Sequence, residues 1–207
     1  VEAGADALGF VFATSPRQIT PEAAQAIIAG LPASVQKVGV FVNSSAEQIH
    51  AVVAQAGLTV VQLHGDETPN FARGLFPRQS ARRSCRVVKA ISVRPSFEAV
   101  AQQFVEGESS VDALLLDSYS PDARGGSGKA FDWQLVAATT PRLALRSRLI
   151  LAGGLEPGSV GGALVLMRPW GVDVVSGVER EPGKKDPEKV RAFITAVRQA
   201  DKEHAHL

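Results

Sequence analysis

The chain has 207 residues, 45% apolar and 21% charged, ordinary proportions for a globular chain and enough for a sizeable core in one α/β domain. A net charge of +1 gives no field to hold nucleic acid or an anionic membrane surface, and no apolar run approaches the roughly 20 residues that span a bilayer. Cys85 is the single cysteine, so no intrachain disulfide forms, which fits a reducing, cytoplasmic compartment.

In chain order, Val1 to Ala5 reads as the end of a helix stopped by Gly4. Residues 5–12, ADALGFVF, form a buried strand, and Ser15-Pro16-Arg17 lies in the loop after it. Thr20 is the N-cap and Pro21 the first residue of a helix reaching about Gly30. Residues 35–42 make the next strand, and Asn43-Ser44-Ser45 caps a helix over 46–56 that ends at Gly57. Residues 60–65, VVQLHG, are a strand, and Asp66 begins a helix to about Phe76. The basic stretch from Arg78 to Arg83 carries no aromatic residue and reads as a solvated loop.

The run RVVKAISV, 86–93, is a strand, and Pro95-Ser96 leads a helix from Phe97 to Val105. Ala113 to Leu116 is a short apolar strand that stops at Asp117. A loop with Gly125-Gly126-Ser127-Gly128-Lys129 follows, then a helix from near Asp132 to about Ala138. Residues 149–154, LILAGG, form a strand before a helix from Pro157 to Met167. Val172 to Val175 is a strand ending in Ser176-Gly177. Residues 182–185 are a loop, and Asp186-Pro187-Glu188 caps a final helix to about Ala200.

Strand and helix alternate throughout, which predicts a parallel sheet covered on both faces. A closed eight-fold barrel and an open doubly wound sheet both satisfy that pattern. The open fold usually carries G-x-G-x-x-G after its first strand, and none occurs there. Gly153-Gly154 and Ser176-Gly177 end the last two strands, where barrels often bind phosphate. The expectation is therefore a (β/α)8 TIM barrel over 1–207 as a single domain, with seven of its eight strands in this sequence; an eighth ahead of Val1 would complete it.

In such folds ligands sit at the carboxyl ends of the strands. Asp117 is a single acid at one of them, where a core alone would favour Val. It reads as the first candidate for chemistry or as a loop-capping residue bonded to nearby amides. Gly153-Gly154 and Ser176-Gly177 let backbone N–H groups approach a phosphate closely. Arg17 suits a carboxylate ligand. Gln62 and His64 share parity on one strand and so face the same way. The Gly125–Lys129 loop reads as a lid over Asp117. The histidines show no metal-ligand spacing.

These pieces carry a resemblance. GADALGFVF with SPRQIT, VGVFVN, VVQLHGDE, VVKAISV, LLLDS, GGSGKAFDW, LILAGGL and WGVDVVSGVE, in that order, are similar to phosphoribosylanthranilate isomerase of tryptophan biosynthesis over nearly the whole chain. The resemblance implies a TIM barrel with no metal and no cofactor, a small phosphorylated substrate, and a monomer or homodimer. It implies an Amadori rearrangement of N-(5-phosphoribosyl)anthranilate. Carried over by position, Asp117 protonates the furanose oxygen, Arg17 holds the anthranilate carboxylate, and Gly153, Gly154, Ser176 and Gly177 bind phosphate. The family's general base is a cysteine in a K-[IV]-C-G-[IL]-T motif, which is not in this sequence. Cys85, at the start of its strand, lies at the wrong end to replace it. The expectation for these 207 residues alone is little turnover, or an inert phosphate-ligand-binding barrel. A related phosphosugar isomerase of histidine biosynthesis is disfavoured by the single strand-end acid.

Overall fold

The computed structural model describes residues 1–77, 85–106, 111–118, 136–137 and 148–204. They fall into two units: Val1–Ala90 with Gln103–Leu114, and Ile91–Gln102 with Leu115–Leu207. The basic stretch 78–83, the Gly125–Lys129 loop and the cap at Asp132 lie outside the described residues; Val136 and Ala137 are helical.

The first unit holds β1 (Ala7–Val11), α1 (Pro21–Ile28), β2 (Gln36–Phe41), α2 (Ala46–Ala56), β3 (Val60–Leu63), α3 (Pro69–Leu75) and the start of β4 (Arg86–Val93). The helix ends follow the local chemistry. Thr20 accepts from the Ala23 amide ahead of Pro21. Ser45 and Gln48 exchange bonds in a capping box, and Gly57, at φ 74°, closes α2 in the left-handed region. Residues 1–4 form a turn rather than a helix end, with the Gly4 amide on the Val1 carbonyl at 2.8 Å.

The third helix starts three residues later than the sequence suggests. Asp66 and Glu67 are drawn into bonds across loops, and Thr68-Pro69 supplies the N-cap instead, with the Phe71 amide on Thr68 Oγ1 at 3.2 Å. Phe41, Val61, Leu63 and Val87 fill the interior together with Ile49 of α2. Gly39 pairs with Phe10 on one side and Val61 on the other. A methyl there would run into the Leu58 side chain and come within 2.8 Å of the Phe41 ring, which stacks on Phe12 at 5.3 Å. Gly39→Val is therefore expected to destabilise the fold by about 1–3 kcal/mol, the usual cost of overpacking. Urea denaturation reads this, and an unchanged midpoint would contradict it.

In the second unit β6 (Arg148–Ala152) precedes α5 (Val160–Met167), β7 (Gly171–Val172), a 3-10 turn (Ser176–Val178) and α6 (Pro187–His204). Most of α4 (Phe97–Val105) and the end of β5 (Ala113–Ser118) belong to it as well. The start of α5 slips from Pro157 to Val160, because Glu156 and Ser159 close a turn between them. The loop expected at 182–185 is part of a hairpin: β8 (Glu179–Glu181) pairs antiparallel with β9 (Lys184–Lys185), so the alternation of strand and helix breaks there. The last strand of the parallel sheet is short, and the final helix runs past Ala200 to His204.

Asp186 caps α6 as the sequence suggests, its Oδ1 accepting from the Glu188 and Lys189 amides at 2.9 and 3.2 Å. The Lys189 amide above all holds this carboxyl below the usual carboxylate range, opposed by partial desolvation and helped by the Glu188 amide and nearby Lys189 and Arg180 charges. A depressed folded value means the cap stabilises fully above the unfolded carboxylate value and loses that contribution as pH falls through the folded one. The stability gap between the parent and Asp186→Ala is accordingly expected to narrow below about pH 4. A gap that stays constant on acidification would refute this.

The seven parallel strands lie in one sheet in chain order, β1 to β7. A doubly wound sheet reverses its order at a switch point, whereas the barrel adds each strand beside the last. The strand order observed is the one a barrel has. Among the described residues, no helix is long and apolar enough to cross a membrane.

Candidate active site

Within the first unit, β3 is buried at all four positions. Gln62 is buried, and its Nε2 lies 3.1 Å from Nδ1 of half-buried His64, so the two residues predicted to share a face do meet. The His64 amide donates to the Phe41 carbonyl at 2.8 Å, tying the end of β3 to the end of β2. Arg17 sits in the loop that leaves β1 and returns to it, with the Ile19 amide on the Val11 carbonyl at 2.9 Å. Its own amide donates to Ser15 Oγ at 3.1 Å, and the residue is half-buried.

Sequence reading passed over a buried ion pair in this unit. Lys89 Nζ lies 2.8 Å from Glu67 Oε2, with side-chain exposures of 4% and 3%. The same ammonium donates to the Gly65 carbonyl at 2.5 Å and the Leu63 carbonyl at 3.3 Å. Glu67 accepts from the Asn43 amide at 2.8 Å and the Gly65 amide at 2.9 Å. A lysine inside the apolar run RVVKAISV was the available signal, since a buried charge needs a partner.

In the second unit, Asp117 is half-buried near the end of β5, behind the fully buried Leu114, Leu115 and Leu116. Gly153 and Gly154 follow β6 directly, at φ 83° and 64°, backbone angles that favour glycine. The sequence-predicted partners, Ser176 and Gly177, open the 3-10 turn after β7. A methyl on Gly177 would overlap the Leu155 carbonyl oxygen and come to 3.1 Å from Glu156 Cα. The two glycine turns are therefore in backbone contact. Behind them Lys185 Nζ donates to the Val175 carbonyl at 2.8 Å and pairs with buried Glu179 at 3.3 Å. Glycine turns in backbone contact, with an ammonium group nearby, suit an anion such as phosphate.

Two further points concern the acids and the thiol. Asp173 directly follows β7, its amide on the Leu151 carbonyl at 2.7 Å, so Asp117 is not the single strand-end acid. Its place inside the apolar run GVDVV hid it. Cys85 is buried ahead of β4, its Sγ 4.0 Å from the Leu58 carbonyl, at the amino end of the strand as expected. Among the described residues, no group of three or more His, Cys, Asp or Glu side chains is placed to hold a metal ion.

Comparison with known proteins gives a consistent result. A family profile described as N-(5'phosphoribosyl)anthranilate (PRA) isomerase matches residues 1–196. An N-(5'-phosphoribosyl)anthranilate isomerase of Pelobacter propionicus is 43% identical over 206 residues, covering 98% of this chain and 90% of the relative. The crystal structure of phosphoribosyl anthranilate isomerase from Thermotoga maritima is similar with a TM-score of 0.82 and 40% identity, covering 96% of this chain and 90% of that one. A structure of phosphoribosyl anthranilate isomerase in complex with reduced 1-(o-carboxyphenylamino)-1-deoxyribulose 5-phosphate has a TM-score of 0.79 and 38% identity, with 96% and 90% coverage.

Proposed function

The chain belongs to the N-(5'-phosphoribosyl)anthranilate isomerase family, and from that premise we propose how its own residues divide the work of the rearrangement. The substrate is N-(5'-phosphoribosyl)anthranilate and the product 1-(2-carboxyphenylamino)-1-deoxyribulose 5-phosphate, in tryptophan biosynthesis. The two glycine turns bind the phosphate: Gly153, Gly154, Ser176 and Gly177 supply backbone N–H groups, and the serine adds a hydroxyl. Arg17 holds the anthranilate carboxylate. Gln62 and His64 act as a hydrogen-bonded pair on the substrate. Asp117 donates the proton that the furanose oxygen needs when the ring opens to the Schiff base.

A base then takes the C2′ proton to give the enamine, which tautomerises to the ketose; in the family that base is the cysteine of the K-[IV]-C-G-[IL]-T motif, which is not in these 207 residues. Cys85, buried at the amino end of β4, is not assigned that step. The reaction needs no redox cofactor, since one carbon is oxidised as its neighbour is reduced within the same molecule. The setting is cytoplasmic, with the protein as monomer or homodimer.

The observation that carries this reading is the backbone contact between the turns after β6 and β7, which Gly177 makes possible. The test compares conversion of N-(5'-phosphoribosyl)anthranilate with conversion of the phosphoribosyl substrate of the histidine-pathway isomerase. Conversion of the first alone is expected once a first strand carrying the family's cysteine is supplied, the 207 residues alone turning over little. Preference for the second would overturn the assignment.

A further inference from the structure

The buried ion pair of Glu67 and Lys89 plays no part in the chemistry above, yet it encloses the backbone of a residue that does. His64 stands between Leu63 and Gly65. Lys89 donates to the carbonyls of both, at 3.3 and 2.5 Å, and Glu67 accepts the Gly65 amide at 2.9 Å. The Gly65 peptide groups are thus gripped by opposite charges on either side. The other oxygen of Glu67 takes the Asn43 amide at 2.8 Å, which fixes the end of β2 to the same anchor. Asn43, at φ 52°, returns two bonds through its side chain, to the Asp66 amide at 2.7 Å and the Asp66 carboxylate at 3.3 Å. A methyl on Gly65 would collide with the Asn43 carboxamide.

Register places the pair where it does not share the face of Gln62. Lys89 is paired with Leu63, one residue on from Gln62, and successive strand residues point to opposite faces. Lys89 also lies 5.9 Å from the Phe104 ring. A pair of charges this deep adds little net stability, and apolar replacements of both partners are often neutral. What it supplies is direction, by holding three backbone groups around one imidazole.

We propose that Glu67 and Lys89 are positioning residues that set the orientation of His64, and through it of Gln62, for binding the carboxyphenylamino-sugar part of the substrate. This rests on the assignment of Gln62 and His64 to substrate binding made above.

The test measures affinity for two probes by calorimetry: reduced 1-(o-carboxyphenylamino)-1-deoxyribulose 5-phosphate and inorganic phosphate. Glu67→Gln keeps the shape and an acceptor oxygen but removes the charge. It is expected to weaken the analogue by about 10-fold or more, the scale of a small misplacement of binding groups. Phosphate affinity should stay at the parental value, and the His64 imidazole nitrogen resonances should shift in the free protein. A purely structural role would weaken both probes together or neither, and either result in a folded variant overturns the inference. Should Glu67→Gln fail to fold, Lys89→Met, which keeps both amide bonds to Glu67, gives the same reading. His64→Ala and Gln62→Ala separate the two levels. If they leave analogue affinity intact, the substrate-binding assignment fails. If they weaken it while Glu67→Gln and Lys89→Met do not, the positioning role alone fails.

Discussion

Asp117→Asn, in a chain supplied with the family's cysteine base, is expected to lower turnover of N-(5'-phosphoribosyl)anthranilate by about 100-fold or more, the usual scale for a lost general acid. Binding of the reduced product analogue should be little changed. The substitution preserves shape and leaves an amide that can still hydrogen-bond to the ring oxygen, but it cannot deliver a proton as the C–O bond breaks. The position is well held for such a comparison, because Leu114, Leu115 and Leu116 immediately before it are fully buried and fix the strand. The competing role, an acid that caps a loop, predicts the reverse pattern: lower stability with turnover per folded molecule preserved. Single-turnover kinetics beside a melting curve separate the two. An Asn variant with near-parental turnover would remove Asp117 from the mechanism.

Those features of the chain that depend on near neighbours could be read without coordinates. Thr20-Pro21 and Ser45 with Gln48 cap helices through bonds spanning three residues, and Gly57 ends its helix by its own backbone preference. Apolar runs such as RVVKAISV became strands at the positions expected. Where bonds reach across the chain, reading failed. Asp66 and Glu67 carry a good helix-start pattern, but their partners are Asn43 and Lys89, more than twenty residues away, and the helix waits for Thr68. The hairpin over 179–185 has no alternating apolar residues to announce it; its strands pair with ionic contacts between Glu179 and Lys185 and between Glu181 and Lys184. The choice between barrel and doubly wound sheet is a question of strand order, which alternation alone does not encode.

The candidate site divides the same way. Gln62 and His64 were legible because strand parity is local, and the structure joins them at 3.1 Å. Gly153-Gly154 was legible as a strand-end pair, and its left-handed angles agree. That Gly177 touches the backbone of Leu155 was not, because twenty-odd residues of helix and strand intervene. Asp173 was hidden by its apolar flanks, since the sequence pattern extended β7 through a position where the chain is already leaving the sheet.

Gly177→Ala is expected to weaken inorganic phosphate and the reduced product analogue alike, by about 10-fold or more. The reason differs from that at Gly153 and Gly154, where positive φ is the constraint. At Gly177 the constraint is space: the added methyl falls on the Leu155 carbonyl oxygen and close to Glu156 Cα, both main-chain atoms that cannot rotate away. The turn after β7 must then lift from the turn after β6, and amides that converge on one anion separate. Each hydrogen bond to a charged group contributes about 1.5–3 kcal/mol, so losing one accounts for the expected factor. Gly162→Ala is the matching control. Its methyl meets nothing within 4 Å, and it lies inside α5, where alanine stabilises relative to glycine by about 1 kcal/mol. That variant should melt higher and bind phosphate as the parent does. Equal phosphate affinity in Gly177→Ala and the parent would show that the anion is held elsewhere.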